Sequence, residues 1–364
     1  MDRRDFFRAS AAGSATLLLP GAVTNALADA TGNNPWHVYE VTTRVEVLKP
    51  AGNTRVWIPL PLTHDTDFQK ALGNSWDAGA GRAAYWQDPK YASGAVAAEW
   101  PELAKPVLEV KSRFATCDRA TNLAAKPGRQ RLDEASRKLY TGSTELIPTD
   151  GIVKATAVKA TKGAETDVEK ARAIYEWIVE NTYRDPKTRG CGVGDIKFML
   201  ESGNLGGKCA DLNALFVGMA RSVGVPARDL YGVRTADSKL GYKSLGKSGD
   251  ITKAQHCRAD FYANGYGWVA ADPADVRKVI LEEPPGKLAI DDPRVVSARK
   301  RLFGSWEGNW LAYNYGHDLA LPGATRGPVG FLMYPQCETS EGRLDCLDPD
   351  NFKYTMSVRE LSLA

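Results

Sequence analysis

Several features are scarce or missing in this chain of 364 residues. After the first 30 residues no apolar run approaches the roughly 20 needed to cross a bilayer as a helix, so no membrane span is expected after removal of a leader. The cysteines number only 6 and the histidines only 4. No two cysteines stand in C-x-x-C spacing and no Cys/His set has zinc-site spacing, so structural zinc is not expected. No acidic cluster reads as a calcium loop and no cofactor motif is present, so the expected cofactor and metal content is none. Neither charge sign dominates: 47 Lys and Arg face 44 Asp and Glu, formally +3. Basic residues are scattered and form no stripe with interleaved aromatics, which argues against nucleic acid as a partner. Internal repeats and low-complexity tracts are also missing.

What is present begins with Arg3-Arg4, an Ala- and Leu-rich stretch to Leu19, and Ala26-Leu27-Ala28. Twin arginines, a short apolar stretch and an Ala-x-Ala site read as a twin-arginine export signal over residues 1–30, with cleavage after Ala28 or Ala30. A periplasmic or secreted location follows, and an oxidising compartment permits disulfides. Cys337 with Cys346 is one plausible bridge, and Cys191 with Cys117 or Cys257 another.

Residues 31–145 are poor in helical periodicity. Val38–Val47 alternates polar and apolar residues, Arg55–Pro59 and Val107–Cys117 read as further strands, and a small antiparallel β domain results. Trp57, Trp76, Trp86 and Trp100 suit its core or a binding platform. From 146 to 285 the pattern changes. A helix is expected near 150–162. Thr166 and Glu169 have capping-box spacing ahead of an apolar stripe of Val168, Ala171, Tyr175 and Ile178. A short helical piece follows around Ile196–Leu200, inside a Gly-rich loop. Lys239–Asp250 reads as a polar mobile loop, a surface loop or a lid. Residues 286–364 read as a C-terminal extension completing the core sheet, with Ser305–Asn314 as a further strand. His317 and Asp318 end that strand and read as structural.

Inside the core, Gly206-Gly207-Lys208-Cys209-Ala210-Asp211 places a cysteine between a flexible turn and an apolar run. Leu212, Phe216, Met219 and Val223 fall on one helical stripe, and Gly224 and Pro226 close it. Cys209 is therefore expected in the first helical turn. Unpaired N–H groups and the helix dipole there favour a thiolate. Taken alone, this also fits a small buried residue packing a helix end. His256 lies on one predicted strand. Asp272 lies 16 residues on, beyond the turn Ala263-Asn264-Gly265-Tyr266-Gly267. A hairpin centred near 264 would set His256 and Asp272 opposite each other to within about a residue. A thiol, an imidazole and a carboxylate are the groups needed to make a nucleophile, hold it and orient its base.

These residues resemble the transglutaminase-like superfamily, the papain-related group with a Cys-His-Asp triad. The resemblance rests on Gly207-Lys208-Cys209-Ala210-Asp211 with Leu215-Phe216, on Gly224-Val225-Pro226-Ala227-Arg228, on His256 with Asp260, and on Gly267-Trp268 with Asp272-Pro273. Gly316-His317-Asp318 is a looser match. Relatives often carry Trp where Arg258 stands and Glu where Asp260 stands. The resemblance implies an α+β fold, with a helix-borne cysteine packed on an antiparallel sheet carrying His and Asp. It also implies Cys209 as nucleophile, His256 as general base and acid, and Asp272 as orienter. The superfamily includes crosslinkers, peptidases, amidases and non-catalytic members.

The expectation is an exported cysteine enzyme acting on amide bonds of a peptide or protein substrate through a thioester. Water as acceptor makes it a peptidase or amidase, and an amine makes it a transglutaminase. A non-catalytic peptide- or cell-wall-binding module is the remaining alternative. The Cys209 N–H is the expected oxyanion donor, with Tyr183 and Asn204 as candidates for the second. Gly207, Lys208, Arg258 and Trp268 are the candidates for residues beside the substrate.

Overall fold

The computed structural model describes residues 34–102 and 105–362, so the predicted leader lies outside the described residues. The chain divides into two compact units. One comprises residues up to Cys117 together with 248–253 and 311–364; the other comprises 118–247 and 254–310. The expected division put all of 286–364 with the core. Here residues from 311 on belong to the first unit, where Phe352–Leu361 pairs with His37–Val47 along ten positions.

The first unit has two antiparallel sheets. One has the strand order Phe352–Leu361, His37–Val47, Val107–Thr116, Gln69–Asp77. The other runs Gly342–Arg343, Gln336–Thr339, Thr54–Pro59, Gly94–Trp100, Arg82–Gln87. Val45, Leu108, Val110 and Phe352 from the first meet Val56, Ile58, Val96 and Trp100 from the second in one apolar core, so the unit is a sandwich. Trp57 and Trp100 are core residues, and their ring N–H groups are satisfied by the carbonyls of Pro322 and Ala78. Trp76 is exposed and Trp86 half-buried. Gln69–Asp77 contains Gly73, Asn74 and Ser75, poor strand formers. It is an edge strand held by pairing with Val107–Thr116, with a bulge between Ala71 and Gly73.

All six cysteines are free thiols, which corrects the expected bridges. The tight turn between Gln336–Thr339 and Gly342–Arg343 brings the Leu344 N–H onto the Cys337 carbonyl at 2.9 Å. Leu344 rather than Cys346 thus faces Cys337. Burial pushes the Cys337 thiol up to about 12.

The second unit carries seven helices among the described residues: Glu134–Thr141, Gly151–Ala160, Asp167–Asn181, Ile196–Ser202, Cys209–Ser222, Pro273–Glu282 and Pro293–Arg301. The Thr166–Glu169 capping box forms. Cys209–Ser222 is buried from Cys209 through Arg221, on every side rather than along one stripe. Ala214, Leu215, Val217 and Ala220 fill the faces that a stripe of Leu212, Phe216 and Met219 would leave to water. It is the central helix, packed against Gly151–Ala160, Asp167–Asn181 and the strand Gln255–Ala263. Burial of each large apolar side chain along it contributes about 1.5–3 kcal/mol.

That strand pairs antiparallel with Ala227–Arg234 on one side and Gly267–Ala271 on the other. Ala263 opposes Gly267, so the hairpin is centred on Gly265, whose φ is +85°. The centre lies one residue later than expected. The ladder ends at Ala259 opposite Ala271, and Asp272 stands beyond it. Ser305–Trp306 pairs with Arg119–Ala120. The loop after Ala227–Arg234, expected to be mobile, is pinned. Glu307 accepts from Ser238 and from the N–H of Lys239, Glu283 accepts from the N–H groups of Lys243 and Ser244, and the Tyr242 hydroxyl donates to the Arg294 carbonyl.

Candidate active site

Cys209 is the first residue of its helix, and Lys208 is the N-cap. A lysine has no acceptor to offer the first turn. Asp211, two residues past the cysteine, serves instead. Its Oδ2 accepts the Lys208 N–H at 2.9 Å, and its Oδ1 accepts the N–H groups of Val193 and Gly194, both at 2.9 Å. One buried carboxylate thus ties the helix start to the Gly-rich loop. Gly192 and Gly207 make room for it: a Cβ would meet Asp211 Oδ2 at 1.8 Å and 2.7 Å respectively, and Gly192 also has φ +96°. The Cys191 carbonyl accepts the Ala210 N–H at 2.9 Å, and the Cys191 thiol donates to the Gln255 carbonyl at 3.3 Å.

Asp272 caps the helix Pro273–Glu282. Its Oδ1 accepts the Asp275 N–H at 3.1 Å and Asn213 Nδ2 at 3.2 Å. Its Oδ2 lies 2.7 Å from His256 Nε2. The hairpin ladder does not oppose the two residues. The cap does the aiming, because it turns the carboxylate back over the end of the strand. Asn213 Nδ2 also donates to the Cys257 carbonyl at 2.8 Å, fixing the cysteine helix to the histidine strand. The Trp310 ring N–H holds the His256 carbonyl at 3.0 Å. A carboxylate only accepts, so the ring proton sits on Nε2 and Nδ1 is left for the hydrogen bond to Cys209. Cys209 is 4% exposed, His256 3% and Asp272 fully buried.

The electrostatics favour an ion pair. The Cys209 thiol is held well below its ordinary value by hydrogen bonds from the Cys191 and Cys257 thiols, against burial, with His256 adding to the effect. Burial pushes the Cys257 thiol well up, so Cys257 stays a donor. Burial and the Arg234 guanidinium push the His256 imidazolium down, but Asp275 and Asp272 outweigh them and raise it to about 9. A thiolate beside an imidazolium is the form that attacks carbonyls.

Around the triad lie more charges. Asp275 Oδ2 is 3.3 Å from His256 Nε2, and Arg234 takes both oxygens of Asp275 at 2.6 and 2.8 Å. One nitrogen and two carboxylate oxygens, from His256, Asp272 and Asp275, lie within 4.8 Å of one another, a set able to hold a cation. Arg234 and Arg258 already stand against these carboxylates, so guanidinium charge fills that role. A cleft of about 320 Å³, open to solvent, is lined by Arg234, Arg258, Asp275, Trp306 and Glu307. It opens on the carboxylate side of the ring, and Cys209 is not in its wall.

The remaining expected residues are placed as follows. Gly207 is packed under Asp211, and Lys208 is half-buried beside the thiol. Tyr183 and Asn204 bond to each other, hydroxyl to Oδ1 at 2.8 Å, with the Tyr183 ring lying over Gly206. Arg258 is buried against Trp306 and Trp310, donates to the Glu307 carbonyl, and lies behind the triad. Trp268 stacks under Arg228 at 3.6 Å and packs on Tyr140 and Tyr262. Sequence reasoning passed over Asn213, Asp275, Arg234 and Cys191. A polar residue four positions after the cysteine on a wholly apolar helix, and a second acid in Asp272-Pro273-Ala274-Asp275, were the available signals.

Residues 154–273 match the transglutaminase-like superfamily core. A Haemophilus influenzae protein described only as uncharacterized is 33% identical over 348 residues, which span 90% of this chain and 93% of that protein. A Cytophaga hutchinsonii structure named as a candidate cysteine protease shares the fold. Its TM-score is 0.51 at 14% identity, over 90% of this chain and 100% of that one. The periplasmic domain of TgpA from Pseudomonas aeruginosa aligns with a TM-score of 0.36 at 11% identity, over 66% of this chain and 88% of that one. With the family core running through the cysteine helix and the His–Asp hairpin, this chain belongs to the transglutaminase-like superfamily.

Proposed function

We propose that the protein is an exported cysteine peptidase or amidase that cleaves amide bonds of peptide or protein substrates through a thioester. The observation that carries this reading is the buried 2.7 Å contact of His256 Nε2 with Asp272, which leaves Nδ1 for a thiol at a helix start. The Cys209 thiolate attacks the substrate carbonyl. The oxyanion that forms lies at a helix N-terminus, where the Cys209 N–H points outward. His256 Nδ1–H passes its proton to the leaving amine, and the C–N bond breaks to leave a thioester on Cys209. Water then loses a proton to His256, attacks the thioester and frees the acid. Asp272 holds the ring in one tautomer through both half-reactions. Export rests on the twin arginines and the Ala-x-Ala site of residues 1–30.

The test is turnover of a peptide library by the mature protein, with and without a fluorescent primary amine. Cleaved peptides that depend on Cys209 support hydrolysis. Amine incorporation without cleavage would replace hydrolysis by transamidation. No Cys209-dependent product of either kind would sink the enzyme reading and leave a binding module.

A further inference from the structure

His256 Nε2 faces two carboxylates. Asp272 is the nearer, at 2.7 Å. Asp275 stands 3.3 Å from the same nitrogen, one helical turn on, and is 1% exposed. Both acids belong to the helix Pro273–Glu282, where one is the N-cap and the other the third residue, so the cap that aims Asp272 also delivers Asp275. Arg234 comes from the strand Ala227–Arg234, itself buried, and grips Asp275 through both oxygens. Its other arm donates to the Leu245 carbonyl at 2.6 Å. Such a bidentate clamp fixes both the place and the plane of a carboxylate. A salt bridge needed only for stability has no reason to share its acid with the base of a Cys–His pair.

We propose that Asp275 is a second positioning carboxylate for His256, held by Arg234, so that two acids rather than one orient the imidazole. This rests on the cysteine chemistry proposed above. The two carboxylates differ in character. Burial and the neighbouring Asp275 charge push Asp272 up, whereas Asp275, despite burial, is held well down by Arg234 and His256. Asp275 therefore keeps a full negative charge beside the ring while Asp272 shares the Nε2 proton. The other charged groups facing the ring are Arg234, Arg258 and the Cys209 thiol; Lys278 stands against Asp275.

The test is an NMR titration of the His256 ring in full-length folded protein labelled at histidine. With 4 histidines, His256→Gln assigns the signal. In Asp275→Asn the imidazolium midpoint falls by about one pH unit or more, a tenfold loss of proton affinity. In Asp272→Asn the ring is still protonated at pH 7, because Asp275 takes over the Nε2 proton. An unchanged midpoint in Asp275→Asn overturns the proposal, as does a ring already neutral at pH 7 in Asp272→Asn. Should Asp275→Asn fail to fold, the Asp272→Asn titration decides alone. Iodoacetamide labelling separates the two levels of the argument. An unreactive Cys209 in the wild type removes both readings, whereas a reactive Cys209 with an unmoved Asp275→Asn titration removes only the second carboxylate.

Discussion

The strand Gln255–Ala263 carries two buried ion clusters four residues apart, and they are built differently. At Asp260, one carboxylate is shared by two arginines. Arg228 donates through Nε and Nη2 at 2.8 and 2.6 Å, and Arg119 through Nη1 at 3.1 Å. Trp268 covers Arg228 and Trp306 lies over Arg119. At His256 the proportions reverse, with two carboxylates set against one imidazole and one arginine. Arginine keeps its charge at any ordinary pH, so the first cluster has one state. Histidine changes charge near neutrality, so the second has two. Burial is equal in both, since Asp260 and Asp272 are fully buried. A buried acid thus becomes part of a reactive site through the kind of base it meets, not through its depth.

That contrast is broken most sharply by exchanging damage between the clusters. Cys209→Ala or His256→Ala should lower kcat about 10⁴-fold or more, with little change in Tm. Asp260→Asn should do the reverse: it leaves two buried guanidinium groups without their acid and destabilises by about 3–5 kcal/mol. Chemical denaturation and turnover per folded molecule read the two axes separately. Equal losses of activity from both changes would erase the distinction.

The pH dependence of stability sharpens the comparison. The His256 imidazolium is raised from 6.5 to about 9. A raised value stabilises fully below the unfolded pKa, and the gain is lost as pH climbs through the folded one. The Cys209 thiol is shifted the opposite way, so its contribution grows with pH and offsets the loss. With Cys209→Ser the offset disappears. Stability of that variant should fall between pH 6.5 and 9, with a limiting slope of about 1.4 kcal/mol per pH unit for one proton. The wild type should be flatter, and Cys209→Ser/His256→Gln should lose the slope. A Cys209→Ser profile as flat as the wild type would contradict the charged pair.

The smallest effect concerns the flanking thiols. Cys257→Ala and Cys191→Ala each remove one hydrogen bond to the Cys209 sulfur, and each should raise its apparent pKa by about one unit or less. Alkylation rate against pH measures this. A lower pKa in either variant would show that burial, not hydrogen bonding, dominates there.

The cysteine helix and the histidine hairpin were legible because each follows from local pattern: Gly-Gly before an apolar run, and Asn-Gly between two strands. The aim of Asp272 was not, since it comes from an N-cap beyond the ladder and not from cross-strand pairing. Asn213 and Arg234 are polar residues inside apolar runs, and only tertiary contact shows what they hold. Gln69–Asp77 was missed because an edge strand with Gly, Asn and Ser is made by its neighbour rather than by its own propensity. The bridges were misjudged because Cys191 and Cys257 gather around the Cys209 thiol, and Cys337 faces Leu344 across a tight turn.

The most direct measurement is iodoacetamide labelling of the folded protein against pH, read by mass spectrometry, with His256→Ala alongside. The account predicts that Cys209 alone among the six cysteines is alkylated, with a thiol pKa well below the ordinary range, and that this reactivity is lost in His256→Ala. Labelling of Cys209 only after denaturation, or with an ordinary thiol pKa unaffected by His256, would contradict it.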